Sequence, residues 1–293
     1  MKISVHISFY LNSINNKKKL IDFNKILNNF SKLSKQTHIF VHTNEKKLNI
    51  NKKKIKVIYY NLKNEDPLRL TWKSRKLIQK QRKNYDYYIY SEDDCVFTKK
   101  NFKYWVKYSK ILEKYRYNPG FIRTELSPKT NQLWTVDLFH KLYRHINIKN
   151  RKYLVLDNPY FAMWIMDRKL LNNFIKSKFW DLNNWRGLNS FTKLYDREKS
   201  AVGWHGLNMN RFHATVVPLE KNKILNSCFF PHQPNKYVSE RGRIHVSKKN
   251  IVEKKTIKFK KKILSKNMVL FNEFKNFLYL KLIFNFKNLK KNF

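Results

Sequence analysis

The chain has 293 residues, of which 42% are hydrophobic and 16% aromatic, enough to bury one large core and to exclude global disorder. Lys and Arg number 63 against 20 Asp and Glu, a formal charge of +43. Such an excess attracts phosphates and anionic surfaces. Here it rides on Lys together with abundant Asn, Ile, Phe and Tyr, with only 5 Gly and 7 Pro, the bias of AT-rich coding sequence; this reading disfavours nucleic acid as the main partner. The two cysteines, Cys95 and Cys228, have no CxxC partner, which excludes a disulfide framework and a zinc knuckle and leaves two buried thiols in a reducing, cytoplasmic setting.

In chain order, Ile3–Leu11 reads as a first strand, with no signal-peptide pattern. Leu20, Ile21, Phe23, Ile26, Leu27, Phe30 and Leu33 recur at helical spacing. Thr37–Thr43 and Lys54–Leu62 are further strands. Asp66 is an N-cap ahead of Pro67 at the first position of the next helix. "YDYYIYS" is a fourth strand, and "TKKNFKYWVKYSKILEKY" a helix after it. Asn118–Leu126 is turn then strand. Leu154–Leu156 and Tyr160–Met166 are extended, and Asp167 caps a helix over Leu170–Ile175. "YDREKSAVGWHGL" reads as a helix and "HATVVPL" as a strand. Strands alternating with helices predict an α/β fold, an α/β/α sandwich on a mostly parallel central sheet. The expected division is a catalytic domain over 1–240 and a basic, amphipathic, helical extension over 241–293. No apolar run reaches the length of a spanning helix. The extension, with apolar residues from Leu270 to Leu282 between lysines, has the pattern of a peripheral anchor on an anionic membrane surface.

The acids are scarce, yet Glu92, Asp93 and Asp94 stand together where the fourth strand ends. Ligands of open α/β sheets sit beyond the carboxyl ends of strands. On extended backbone Glu92 and Asp94 project to one side and Asp93 to the other. Two carboxylates facing a substrate phosphate suit Mg²⁺ or Mn²⁺. The strand, "SEDDCVF" and the helix after it resemble the DxD element of GT-A-fold glycosyltransferases, over roughly residues 1–240 and in E-D-D form.

That resemblance implies a Rossmann-type fold and transfer of a sugar from a nucleotide-diphosphate donor to a hydroxyl of a glycan or lipid-linked acceptor. It implies Glu92, Asp94 and His232 as metal ligands. Ser8, Phe9 and Tyr10 would meet the nucleotide, Lys73, Arg75 and Lys236 its phosphates, and Asp93, Asp157 and Asn158 the rest of the donor pocket. Glu198 or Asp196, opening a late helix, would be the general base. Tyr160, Phe161 and Trp164 are candidates for sugar stacking, and Arg123 and Glu125 for bracketing the site. Two other classes fit the same residues: a basic nucleic-acid-binding protein stacking bases on its aromatics, and a metal-dependent nuclease or nucleotidyltransferase.

Overall fold

The computed structural model describes residues 1–12, 16–48, 50, 53–127, 131–138, 144–156, 160–185, 196–202, 215–233, 235 and 237. The predicted extension, the boundary at 240, Asp157, Asn158 and Lys236 lie outside them.

The elements run β1 (Lys2–Phe9), α1 (Lys17–Ser31), β2 (Gln36–Thr43), β3 (Ile55–Tyr59), α2 (Leu70–Lys80), β4 (Tyr87–Glu92) and α3 (Lys99–Leu112). Then follow β5 (Asn118–Pro119), β6 (Ile122–Leu126), β7 (Leu133–Thr135), β8 (His145–Ile148), β9 (Arg151–Val155) and β10 (Met163–Asp167). The described chain closes with α4 (Arg168–Ile175), α5 (Asp196–Val202), β11 (Thr215–Glu220), β12 (Lys223–Ile224) and β13 (Phe229–Pro231).

The central sheet has the order β3-β2-β1-β4-β10. Its first four strands are parallel; β10 runs antiparallel to β4. Alternation along β1 sorts the layers. Phe9 stacks on Phe23 of α1, and on β4 Tyr87 meets Phe102 and Trp105 of α3 edge-on, so α1 and α3 cover one face. On the other face Ser4 bonds Gln81 at the end of α2, and Tyr90 takes a hydrogen bond from Ser200 of α5. Trp164 of β10 meets Phe174 of α4 on that face. The protein is thus a Rossmann-type α/β/α sandwich. Two smaller sheets flank it: β12-β11-β9-β8, with β5 parallel to β11, and β13-β6-β7.

Local chemistry explains the boundaries. Asn16 caps α1 through Lys19 N, Thr98 and Asn101 form a reciprocal capping box for α3, and Asp167 caps α4 through Leu170 N. Asp66 caps a 3₁₀ turn, Pro67–Arg69, rather than the helix itself, which starts at Leu70. The hairpins β8–β9 and β11–β12 were not expected. Both turn on a Lys-Asn pair, Lys149-Asn150 and Lys221-Asn222, with all four residues at positive φ, as two-residue I′ hairpins require.

Among the described residues no helix is long and apolar enough to cross a membrane. Cys95 and Cys228 are free and buried, as expected.

Candidate functional site

A cleft of about 430 Å³ opens at the carboxyl ends of β1 and β4. Glu92, Asp93 and Asp94 form one wall. Ser8 and Tyr10 come from the end of β1, Asn16, Lys18, Lys19 and Asp22 from the start of α1, Leu70 and Thr71 from α2, and Arg197 from α5. The register Ser8↔Glu92 sets these two residues side by side at the mouth of the sheet.

All three acids line this cleft, which departs from the expected alternation. β4 ends at Glu92, and a turn carries Asp93 and Asp94 round to the same side. Each acid has its own cationic partner. Asp93 pairs with Lys19 at 3.0 Å, Arg197 Nε lies 3.6 Å from Glu92, and His232 Nε2 lies 3.0 Å from Asp94. Tyr160 donates to Glu92 Oε1 at 2.8 Å, so its hydroxyl serves a carboxylate and its ring is buried rather than offered to a sugar. Arg123 grips Asp137 through two hydrogen bonds of 2.7 and 2.8 Å and reaches Asp94 at 3.8 Å.

The electrostatics separate the acids. Burial, reinforced by the Asp94 charge, lifts Glu92 to about 7, against the pull of Arg197 and Arg123. Burial also raises Asp93, with Lys19 opposing. Burial would raise Asp94 too, but its hydrogen bond and charge interaction with His232 hold it well below the usual carboxylate range. Burial works against a charged His232, yet hydrogen bonds to Asp94 and Glu125 prevail and push it up to about 9.

Behind His232 stands Glu125, 1% exposed. It accepts from His232 Nδ1 at 2.5 Å and from the Tyr237 amide at 2.7 Å. A carboxylate behind a histidine, fixing which nitrogen faces outward, is how metal-ligating histidines are usually held. Glu125→Gln puts an amide NH₂ against one of those two donors. It is expected to cost about 1–3 kcal/mol of stability by leaving a buried group unpaired, measured by urea denaturation; an unchanged midpoint contradicts this.

The donor set fits a divalent cation in part. Asp94 and His232 Nε2 face each other at 3.0 Å with Glu125 orienting the ring, and the ring would have to give up its Nε2 proton to bind a cation. Gln233 Oε1, on the cleft, finds no hydrogen-bond partner among the described residues, and Ser8 Oγ lies against the Tyr90 hydroxyl. Yet no group of three or more His, Cys, Asp or Glu residues among them is arranged to enclose a metal. A cation held there takes its remaining ligands from substrate oxygens and water, the habit of Mg²⁺ sites.

The other expected site residues divide. Ser8 and Tyr10 line the cleft. Phe9 does not: it is fully buried against Phe23 and belongs to the core, because its position in the β1 alternation turns it toward α1. Lys73 is paired with Glu65 at 2.6 Å, outside the cleft lining. Arg75 is 5% exposed and sits among aromatic rings beneath α5. Asp196 is paired with Lys199 at 3.0 Å. Glu198 is half-buried, and neither it nor Asp196 lines the cleft; Arg197 between them does. Lys18, Lys19 and Arg197 were not foreseen. Three cations among 63 leave no mark in the sequence, although Arg197 stands inside the "DREK" already singled out for its acids.

No family model and no curated protein matches the sequence. Solved structures align with part of the chain. The bifunctional IspDF of Campylobacter jejuni is 14% identical, with a TM-score of 0.32 over 60% of this chain and 44% of that one, so the match spans less than half of its length. A CMP:2-keto-3-deoxy-manno-octonic acid synthetase complexed with CTP is 11% identical, with a TM-score of 0.35 over 59% of this chain and 77% of that one. Likeness at this level bears on neither substrate nor reaction.

Proposed function

We propose that the protein is a glycosyltransferase that takes a sugar from a nucleotide-diphosphate donor in the cleft and passes it to an acceptor hydroxyl. The observation that carries this reading is the acidic end of β4. Three carboxylates converge on a cleft at the mouth of a parallel sheet, opposite Lys18, Lys19 and Arg197. Such a mixture suits a ligand that is anionic itself and brings a cation with it. Asp94 and His232 are the residues that would hold Mn²⁺ or Mg²⁺, with Glu92 beside them. When bound, the cation supplies a Lewis acid toward the departing diphosphate.

The chain's own residues do the rest. Ser8 and Tyr10 border the nucleotide end. Lys19 holds Asp93 and, through Tyr10 O at 2.6 Å, ties α1 to the end of β1. For the acceptor proton, Glu198 and Asp196 are the proposed bases; neither lines the cleft itself, but they flank Arg197, which does. Loss of turnover in Glu198→Gln, with Asp196→Asn active, would assign the role to Glu198.

A thermal-shift screen of nucleotide sugars with and without Mn²⁺ tests the reading. Selective, metal-dependent stabilisation by one of them is expected. Equal stabilisation by nucleoside triphosphates alone would favour a nucleotidyltransferase, and stabilisation by oligonucleotides alone a nucleic-acid-binding protein.

A further inference from the structure

Arg75 is a buried cation ringed by aromatic side chains. Its guanidinium carbon lies 4.5 Å from the Trp180 ring, 4.6 Å from Phe174, 4.8 Å from Trp72 and 5.8 Å from Trp164. Nη2 donates to Ser200 O at 3.0 Å, while Nε and Nη1 find no acceptor among the described residues. No carboxylate among them forms an ion pair with it, though the charge of Asp181 acts on it from a distance. Aromatic faces compensate part of the cost of burying such a cation, but an uncompensated buried charge is expensive to keep.

Its one hydrogen bond shows what it holds. Ser200 O also accepts from Trp164 Nε1 at 3.1 Å, and Asp196 O accepts from Trp72 Nε1 at 2.7 Å. Three side chains from α2 and β10 therefore pin the backbone of α5 at its first and fifth residues. Ser200 Oγ, bonded to the Tyr90 hydroxyl at 3.2 Å, fastens the same turn to β4. Between the pins stands Arg197. Its side chain is 42% exposed, lines the cleft, and approaches Glu92 only to 3.6 Å, too far for a formed hydrogen bond. The guanidinium lines the ligand space, drawn to Glu92 by charge but not locked to it by a hydrogen bond.

We propose that Arg197 binds the phosphate groups of the cleft's ligand, and that Arg75, with Trp72 and Trp164, is the positioning set that presents it. This rests on reading the cleft as a phosphate-ligand site. A guanidinium suits the task because its planar fork meets phosphate oxygens in pairs. The pins matter because a helix of only seven residues has little stability of its own.

Calorimetric titration of the full chain with UDP and with inorganic pyrophosphate, each with Mg²⁺, tests it. Arg197→Gln is expected to weaken both at least about tenfold, and Arg197→Lys less, since the charge remains. Arg75→Met exchanges an unpaired buried charge for an apolar chain of similar length. It should leave the melting temperature unchanged or higher while still weakening binding about tenfold, a split that a merely structural role does not produce. The double variant should bind no more weakly than Arg197→Gln, because both act through one group. Trp72→Phe, which removes the donor to Asp196 O while keeping an aromatic ring beside Arg75, repeats the test if Arg75→Met does not fold. Wild-type binding unaltered by Arg197→Gln, or fully additive losses, overturns the inference and leaves the reading of the cleft intact. Failure of the wild type to bind either probe overturns both.

Discussion

Asp94→Asn is expected to abolish catalysis, with turnover lower by at least about 100-fold, the scale on which preorganised electrostatic groups act. The substitution keeps the shape of the side chain and removes its charge. The fold should survive. Arg123 retains both bonds to Asp137, and His232 retains Glu125. What is lost is the anion that stands beside His232 on the cleft. The same change has a spectroscopic signature. Asp94 is the chief support of the raised His232 pKa, so the ring should titrate well below its present value of about 9. An NMR titration of His232 alongside an activity measurement checks both halves. An active variant with an unshifted ring would show that the Asp94–His232 pair has no part in the chemistry.

The second large effect concerns stability in acid. Ser4, His6, His42 and Tyr60 form a hydrogen-bonded chain across β1, β2 and the end of β3, with 2.8, 3.0 and 3.0 Å between successive members. His6 and His42 are both fully buried. Burial, with the charge of its partner, pulls His6 well below 6.5, and burial pulls His42 to about 3. Both are depressed in the folded state, so unfolding takes up protons below the ordinary histidine pKa. Their contribution is complete above about pH 6.5 and is lost as pH falls toward 3, at up to about 1.4 kcal/mol per pH unit for each ring. His232 has the opposite sign: raised in the fold, it stabilises below 6.5 and loses that contribution as pH rises through about 9. Urea denaturation between pH 7.5 and 4.5 should show a steep fall. His6→Leu/His42→Leu should flatten it, since Ser4 still bonds Gln81 and Tyr60 still reaches Lys73 O. An equally steep fall in the double variant would locate the acid sensitivity elsewhere.

The two predictions draw on features of different legibility. The alternation of apolar runs revealed the order of strands and helices and the buried strand leading into the acids, and residue type alone revealed the cap at Asp167. It could not reveal β8 or β12. Their hairpins turn on Lys-Asn, and in a chain so rich in both residues that pair carries no turn signal. Strict alternation placed Asp93 opposite Glu92 and Asp94, but the strand stops at Glu92 and the rule stops with it. Charge misled in a further way. Lys73 and Arg75 in "WKSR" read as phosphate contacts, yet Arg75 is enclosed by rings brought together from α2, β10, α4 and the turn after it. Lys18, Lys19 and Arg197 became distinguishable from the remaining cations only through where the fold puts them.

The central claim is that the cleft transfers a sugar from a nucleotide-diphosphate donor. The direct measurement is release of free nucleoside diphosphate from a panel of nucleotide sugars, with and without Mn²⁺, by the full chain and by Asp94→Asn. The account predicts metal-dependent release from a restricted set of donors by the wild type and none by the variant. Pyrophosphate release from nucleoside triphosphates, with every nucleotide sugar left intact, would contradict it.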